Sequence, residues 1–359
     1  MTIAVCTTAE LRDALRAHRR VLPTGGGTKP ALSATEQADT TIIDVSGLSG
    51  IVEYDPAELT FTAGAGTRLA EIDAVLAAQR QYLPFDPPLV EAGATLGGTI
   101  AAGLSGPGAF GHGSVRDFVL GVRFADGTGT LVRGGGKVVK NAAGFDLPKL
   151  MVGSMGRLGV LVEISCKVFP SPPAELTVAY ELADLSTALA AVLRVARGPV
   201  AVEALDLQPP GRVLIRFAGP EDLMRERVER LKAIIASGDA VCIEDDTDLW
   251  RAHTEFAWVP AGYELLRASL TPRQLPAVQA VADRSGARVR YTNAANVAWI
   301  ACPAGQSSER WDGELRALGL TAMTILGPPD RVLLGASRRN AYAQRVIAAL
   351  DPGQRFARF

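Results

Sequence analysis

Between Thr8 and Ala17 apolar side chains recur at helical spacing: Leu11, Ala14 and Leu15 share one face, and Thr7 or Thr8 stands where a cap belongs. A short strand, Val21-Leu22-Pro23, follows and runs into Thr24-Gly25-Gly26-Gly27-Thr28-Lys29. Branched residues cluster in Thr41–Val45, Gly50–Tyr54 and Leu59–Ala63, bounded by Gly, Asp and Pro, and read as short strands. The helical period returns over Arg68–Gln79, with Leu69, Ile72, Val75 and Leu76 as its stripe and Thr67 as its expected cap. Leu83–Pro88 is extended, because each Pro disfavours the α conformation in its predecessor. Thr95 is placed to cap a short helix through Ala102, with Gly106-Pro107-Gly108 as its end. Phe118–Phe124 and Thr130–Arg133 predict a hairpin across Asp126-Gly127, Asp146 is placed to cap a helix, and Val160–Phe169 is a strand.

The prolines of Ser171-Pro172-Pro173 mark a boundary, which divides the chain into residues 1–172 and 173–359. Beyond it glycine thins out and strands alternate with longer helices. Strand Leu176–Tyr180, helix Leu185–Ala196, strands Ala201–Asp206 and Val213–Phe217, helix Asp222–Ile235 and strand Ala240–Ile243 form one set. A comparable set follows: strand Tyr263–Ala268, helix Gln274–Arg284, strands Arg288–Thr292 and Val297–Cys302, helix Ser307–Leu318, strand Arg331–Leu334 and helix Arg338–Leu350. This pattern predicts an α+β unit with its helices on one face of a sheet.

Composition then narrows the function. Thirty-seven Lys and Arg against 38 acidic residues leave no field to recruit nucleic acid or an anionic bilayer. No apolar run approaches the ~20 residues of a membrane-spanning helix. The N-terminus turns polar after Met-Thr-Ile-Ala-Val-Cys, so no signal peptide is expected and a cytoplasmic protein is the default. Cys6, Cys166, Cys242 and Cys302 are scattered, and His18, His112 and His253 lie far apart, so neither an iron–sulfur cluster nor a metal site is expected.

Glycine carries the positive signal. Three successive glycines after a strand can turn several backbone N–H groups on one anion, although Thr24–Lys29 lacks Walker spacing. An ordinary tight turn is the plain alternative, and Lys29 taken singly is expected to be a solvated charge. Two further glycine-rich runs, Val90–Gly108 and Val138–Val160, imply a backbone that something approaches closely. A large phosphate-bearing cofactor suits them. Gly64-Ala65-Gly66 is only half a dinucleotide fingerprint.

These pieces, in this order, resemble the FAD-binding domain of the vanillyl-alcohol oxidase/PCMH superfamily over residues 18–170. The resemblance implies a PCMH-type domain of two α/β subdomains followed by an α+β cap, with FAD bound noncovalently because the first loop has no histidine. It implies pyrophosphate contacts from the amides of Thr24, Gly25, Gly26, Gly27, Thr28 and Lys29. Along the rest of the cofactor it implies Pro84, Gly93, Ala94, Thr95, Gly97, Gly98, Thr99, Ala102, Gly103, Ser105, Gly106 and Gly113. Asn141, Gly144 and Gly156 follow, and Gly159, Val160 and Val162 border the adenine end. The run Lys137–Gly153 resembles more closely the FAD-binding E subunits of bacterial glycolate oxidases.

That closer resemblance implies an FAD-dependent oxidoreductase subunit acting on glycolate or a similar 2-hydroxy acid. Its implied partners are a catalytic flavoprotein subunit and an iron–sulfur subunit, through which the chain could also meet a membrane peripherally. His112, Arg116 and Lys140 are the candidate catalytic residues: an imidazole titrates near neutrality, and the two cations could stabilise negative charge. The alternatives are a polar neighbour role for His112 and loop-holding ion pairs for Arg116 and Lys140. Only His253 lies in the C-terminal half, so the histidine pair of the catalytic subunits has no counterpart there. Three functions stay open: an electron-relaying flavoprotein subunit, a flavin-bearing scaffold, and a free-standing oxidoreductase.

Overall fold

The computed structural model describes residues 1–35, 37–136, 145–306, 310–328, 332–336 and 341–357. Thr7 begins the first helix, Thr8–Ala17, with a capping box: its hydroxyl accepts from the Glu10 amide, and the Glu10 carboxylate reaches back to the Thr7 amide. Leu11, Ala14 and Leu15 bury against a three-stranded parallel sheet in which Thr41–Asp44 lies between Thr2–Ala4 and Val21–Thr24. The far end of the chain returns to this sheet. Val21 N donates to the Arg355 carbonyl at 2.7 Å, Ala357 N donates to the Val21 carbonyl at 2.9 Å, and Phe356 is buried in the same core. The Asp351 carboxylate, itself buried, shapes the turn by accepting from the amides of Arg355 and Phe356. The sequence pattern places this tail with the second unit; here it completes the first.

The second subdomain is a five-stranded antiparallel sheet in the order Ile51–Asp55, Thr60–Gly64, Val160–Lys167, Val119–Ala125, Leu131–Gly135. Its predicted hairpin turns where Asp126 gathers the amides of Thr128 and Thr130 on one carboxylate oxygen. The helix over this sheet spans Leu69–Ala77, but Thr67 does not cap it. The Thr67 hydroxyl instead donates to Gly64 O at 2.7 Å, and the cap position falls to Arg68, with no side-chain bond. Leu69, Ile72 and Leu76 are buried, whereas Val75 faces solvent, one step off the stripe. Thr95 does cap Leu96–Ala102, the predicted span, but the helix is closed by Gly103 in the left-handed conformation, φ 66°, instead of by Gly106-Pro107-Gly108. Asp146 caps Leu147–Met151 as expected.

The second half is a nine-stranded antiparallel sheet made of two β-α-β-β-α-β sets and a ninth edge strand, Leu333–Gly335, beside Thr321–Leu326. The first set orders its strands Asp239–Ile243, Ala174–Glu181, Arg212–Gly219, Ala204–Gln208, and the second Arg288–Thr292, Val297–Pro303, Tyr263–Ser269, Thr321–Leu326. They meet through a single register pair, Leu207 with Tyr291. Two elements escape sequence analysis. Thr321–Leu326 is buried over four of its six residues and shows no alternation, and Thr247–Thr254 carries too few apolar residues to announce a helix.

Strand periodicity sends alternate side chains to opposite faces. Val178, Tyr180, Leu205, Leu207, Ile215, Leu266 and Ile300 pack under the four helices of the two sets. The other face looks at the first unit, where Trp299, Met323 and Ile325 join one apolar cluster with Leu32, Leu89 and Leu104. The α+β class is therefore as expected, and the two halves share a core.

Candidate cofactor cleft

A cleft of about 670 Å³, counted out to its mouth, opens between the two small subdomains. Thr24–Lys29 forms one wall; Ala65, Thr95, Gly97, Gly98 and Ala102 form the floor; Met155, Gly156, Gly159 and Val160 close the far side. The walls stand as close as glycine permits. A Cβ on Gly25 would lie 2.4 Å from the Thr95 hydroxyl, and one on Gly26 would lie 2.1 Å from the Gly93 carbonyl. On Gly97 it would strike Ala65 at 2.7 Å, and on Gly156 it would strike Pro23 at 2.6 Å. Gly27 is different: it has φ +64° and open space around the Cβ position, so it is there for its conformation.

The donors of this loop are free. Among the described residues none of the five successive amides Gly25–Lys29 donates a hydrogen bond. Unpaired consecutive N–H groups around a left-handed residue form a concave anion site. Beside them Lys29 is only 5% exposed, with its Nζ 3.2 Å from the Thr28 hydroxyl. Burial pulls its pKa down to about 8, against the attraction of Glu255. The sequence expectation of a solvated Lys29 is corrected: this is a buried ammonium facing an anion-sized concavity.

The start of the Leu96–Ala102 helix contributes less than expected. Its Leu96 and Gly97 amides already donate to the Thr67 and Ala65 carbonyls, and the Gly98 amide donates to the Thr95 hydroxyl. These positions supply close approach instead of free donors. Thr99 is fully buried below them, and its hydroxyl oxygen has no partner among the described residues.

The other predicted contacts divide. Gly93 and Ala94 back the Gly26 wall, Val162 accepts from the Ala65 amide behind the floor, and Gly103 packs on Gly153. Ser105 accepts from the Val115 amide, and Gly113, at φ +95°, makes room for Asp117 in a second capping box, so both hold the loop. Pro84 and Gly106 lie outside the cleft, with the Gly106 amide on the Phe85 carbonyl and the Pro84 carbonyl against Gly108. Lys140, Asn141 and Gly144 lie outside the described residues.

Neither described catalytic candidate lines the cleft. Arg116 donates to the Lys149 carbonyl at 2.9 Å, the loop-holding alternative. His112 pairs with Glu203 of the second half and meets the Tyr82 hydroxyl at 3.3 Å. It thereby joins a network between the two halves that sequence analysis missed, because its members come from five distant segments. In that network Asp86 accepts from the Gly108 amide at 2.7 Å, and Arg216 grips Asp246 with two nitrogens at 3.0 and 2.9 Å and Glu175 with one at 2.9 Å. Thr177 and the Trp250 indole complete the shell of Asp246.

The Glu203 hydrogen bond raises the His112 pKa above 6.5, outweighing the loss from burial. A raised imidazole pKa gives stability that is full below 6.5 and lost as pH rises through the raised value. His112→Gln should therefore destabilise the protein by roughly 1.5–3 kcal/mol at pH 6 and by less at pH 9. Thermal melts of both proteins across that range check the trend, and a pH-independent difference would contradict it.

A glycine-walled cleft with a row of free amides, set between two small subdomains of an α+β protein, suits an extended phosphate-bearing ligand. The family model described as FAD binding domain matches residues 2–135, the part of the chain that supplies most of the cleft. The chain is 53% identical over 140 residues to glycolate oxidase subunit GlcE of Escherichia coli, covering 39% of this chain and 40% of that protein. It is 28% identical over 244 residues to glycolate oxidase subunit GlcD of Bacillus subtilis, covering 62% and 52%. It is 30% identical over 184 residues to the D-lactate dehydrogenase of Archaeoglobus fulgidus, covering 51% and 41%. The chain thus spans about half or less of the curated relatives it matches. Solved structures of alkyldihydroxyacetonephosphate synthase share the fold, with TM-score 0.72 at 15% identity over 98% of this chain and 76% of that one. The protein is related to FAD-linked oxidoreductases, and among its described residues no helix is long and apolar enough to cross a membrane.

Proposed function

We propose that this chain is the FAD-binding subunit of a glycolate oxidase-type complex, taking part in oxidation of glycolate or a similar 2-hydroxy acid to the 2-oxo acid. One observation carries the cofactor assignment: five successive free amides beside a buried lysine, in a cleft where Gly25, Gly26, Gly97 and Gly156 leave no room for a Cβ. Bound FAD supplies two-electron redox chemistry. The residues supply the rest. Gly25–Lys29 amides and the Lys29 ammonium hold the pyrophosphate, Gly97 and Gly98 let the cofactor lie against backbone, and Gly159–Val162 borders the adenine end. Residues 1–172 with the returning 351–357 segment are the unit that holds it, noncovalently. His112 and Arg216 keep the second half docked over it. The partners we infer are a catalytic flavoprotein subunit and an iron–sulfur subunit, a reading supported by the similarity to the glycolate oxidase subunits GlcE and GlcD.

The test is the visible spectrum of the FAD-loaded chain under anaerobic glycolate and D-lactate, before and after the partner subunits are added. Bleaching only with the partners present is the expected result. Bleaching of the chain alone would make it a self-sufficient dehydrogenase, and no bleaching in either case would leave a scaffold.

A pH dependence follows from Lys29. With its pKa at about 8, the free protein loses this positive charge above pH 8, and a phosphate-bearing ligand then binds a neutral amine. FAD affinity should be level from pH 6 to 7.5 and fall above pH 8, approaching tenfold per unit. Lys29→Gln should bind FAD more weakly and without that fall. Fluorescence titrations at several pH values read both, and an identical profile in the variant would contradict the role of Lys29.

A further inference from the structure

We propose that Arg290 and Trp258 form a binding point for a small organic carboxylate at the seam between the two sets of the nine-stranded sheet. Two cavities meet there. A narrow one lies between the halves of the protein, walled by Pro88, Pro107, Phe256 and Trp299. An open groove of about 1050 Å³, counted out to solvent, lies on the outer side, along Gln208, Asp283 and Arg288. Trp258 and Arg290 line both, so they stand at the neck where the groove meets the narrow pocket. The neck exists because the two sets of strands pair only at Leu207 and Tyr291.

The guanidinium is prepared for an acceptor that the chain does not supply. Its carbon sits 4.9 Å over the Trp258 ring, and Nη1 is buried with no hydrogen-bond partner among the described residues. A buried N–H without an acceptor is costly, and a planar carboxylate is the group that meets a guanidinium fork in two parallel bonds. The charges around the neck favour an anion. Three arginines, Arg212, Arg288 and Arg290, stand against two acids, the buried Asp206, which attracts Arg290 and lies 3.5 Å from His253 Nδ1, and Asp283 in the outer groove, so positive charge is in excess by one. His253 is neutral, held also by Gln208 at 2.9 Å, and burial lowers its pKa. The inner pocket is too narrow for more than a water-sized group, so the carboxylate meets the guanidinium fork from the open groove, which has room for a small carbon skeleton. Gly106, which lies outside the cofactor cleft, also lines the pocket. The identity of the carboxylate as substrate rests on the proposed function; the anion site itself does not.

Isothermal titration of oxalate and of glycolate into the full chain, with and without FAD, tests the site. Wild type should bind at one saturable site, Arg290→Gln at least tenfold more weakly, and Arg290→Lys in between, because it keeps the charge and loses the fork. Should Arg290→Gln fail to fold, Trp258→Leu reads the same neck and should weaken binding severalfold. No saturable binding by wild type, or equal binding by wild type and the Arg290 variants, would overturn the proposal. Oxalate binding that survives in the Arg290 variants and is lost in Lys29→Gln would place the anion in the cofactor cleft, which also overturns it. FAD titration of the same samples separates the two claims: oxalate binding without FAD binding removes the cofactor assignment alone, and the reverse removes the anion site alone.

Discussion

Gly26→Ala is expected to lower FAD affinity roughly ten- to hundredfold while the chain still folds. The added methyl would lie 2.1 Å from the Gly93 carbonyl, a backbone atom, so the loop must move away from the cleft wall instead of a side chain turning aside. Overpacking of this kind costs about 1–3 kcal/mol, and here the cost falls on the conformation that aims the amides at the ligand. Gly27→Ala provides the contrast. Nothing lies within 4 Å of its Cβ position, so only the left-handed conformation at φ +64° is strained, by about 1–2 kcal/mol. FAD titrations with thermal melts of both variants measure this. Equal affinity in wild type and Gly26→Ala would mean that the Gly26–Gly93 wall does not shape the site.

The second large effect concerns the joint between the halves. Arg216→Met should destabilise the protein by roughly 3–5 kcal/mol, because it leaves Asp246, 3% exposed, as an unpaired buried carboxylate. Glu175 loses its partner in the same step, and Asp86 loses the largest of the influences that oppose its burial, ahead of the Gly108 amide and His112. Chemical denaturation reads the loss. A companion variant, Arg216→Met with Asp246→Asn, should recover part of it, since the charge that Arg216 neutralises is then gone. A loss below 1 kcal/mol in the single variant would show that the network is solvated and not the joint described here.

Much of this architecture is legible along the chain. Capping signals at Thr7, Thr95 and Asp146 place helices correctly because each acts within three residues of itself. The repetition of two strand–helix sets is legible in periodicity alone, although the unbroken apolar run of Thr321–Leu326 hides the strand that completes the second. The three successive glycines announce the cleft, but not which donors remain free there. Leu96–Gly98 look equally suited, yet their amides are taken by Thr67, Ala65 and Thr95, contacts that only tertiary structure brings about. Lys29 illustrates the same limit. Nothing beside it in sequence says that it will be buried, or that the Glu255 carboxylate, over two hundred positions away, will be near enough to attract it. The Arg216 network and the return of Phe356 to the first sheet are likewise long-range, and no local pattern encodes them.

The central claim is that Thr24–Lys29 and the facing glycines hold FAD. The most direct measurement is the visible absorption spectrum of the purified chain after reconstitution with FAD and removal of the excess. One flavin per chain, retained by wild type and largely lost by Gly26→Ala and Lys29→Gln, is the predicted result. A folded wild-type chain that retains no flavin, or variants that retain as much as wild type, would contradict it.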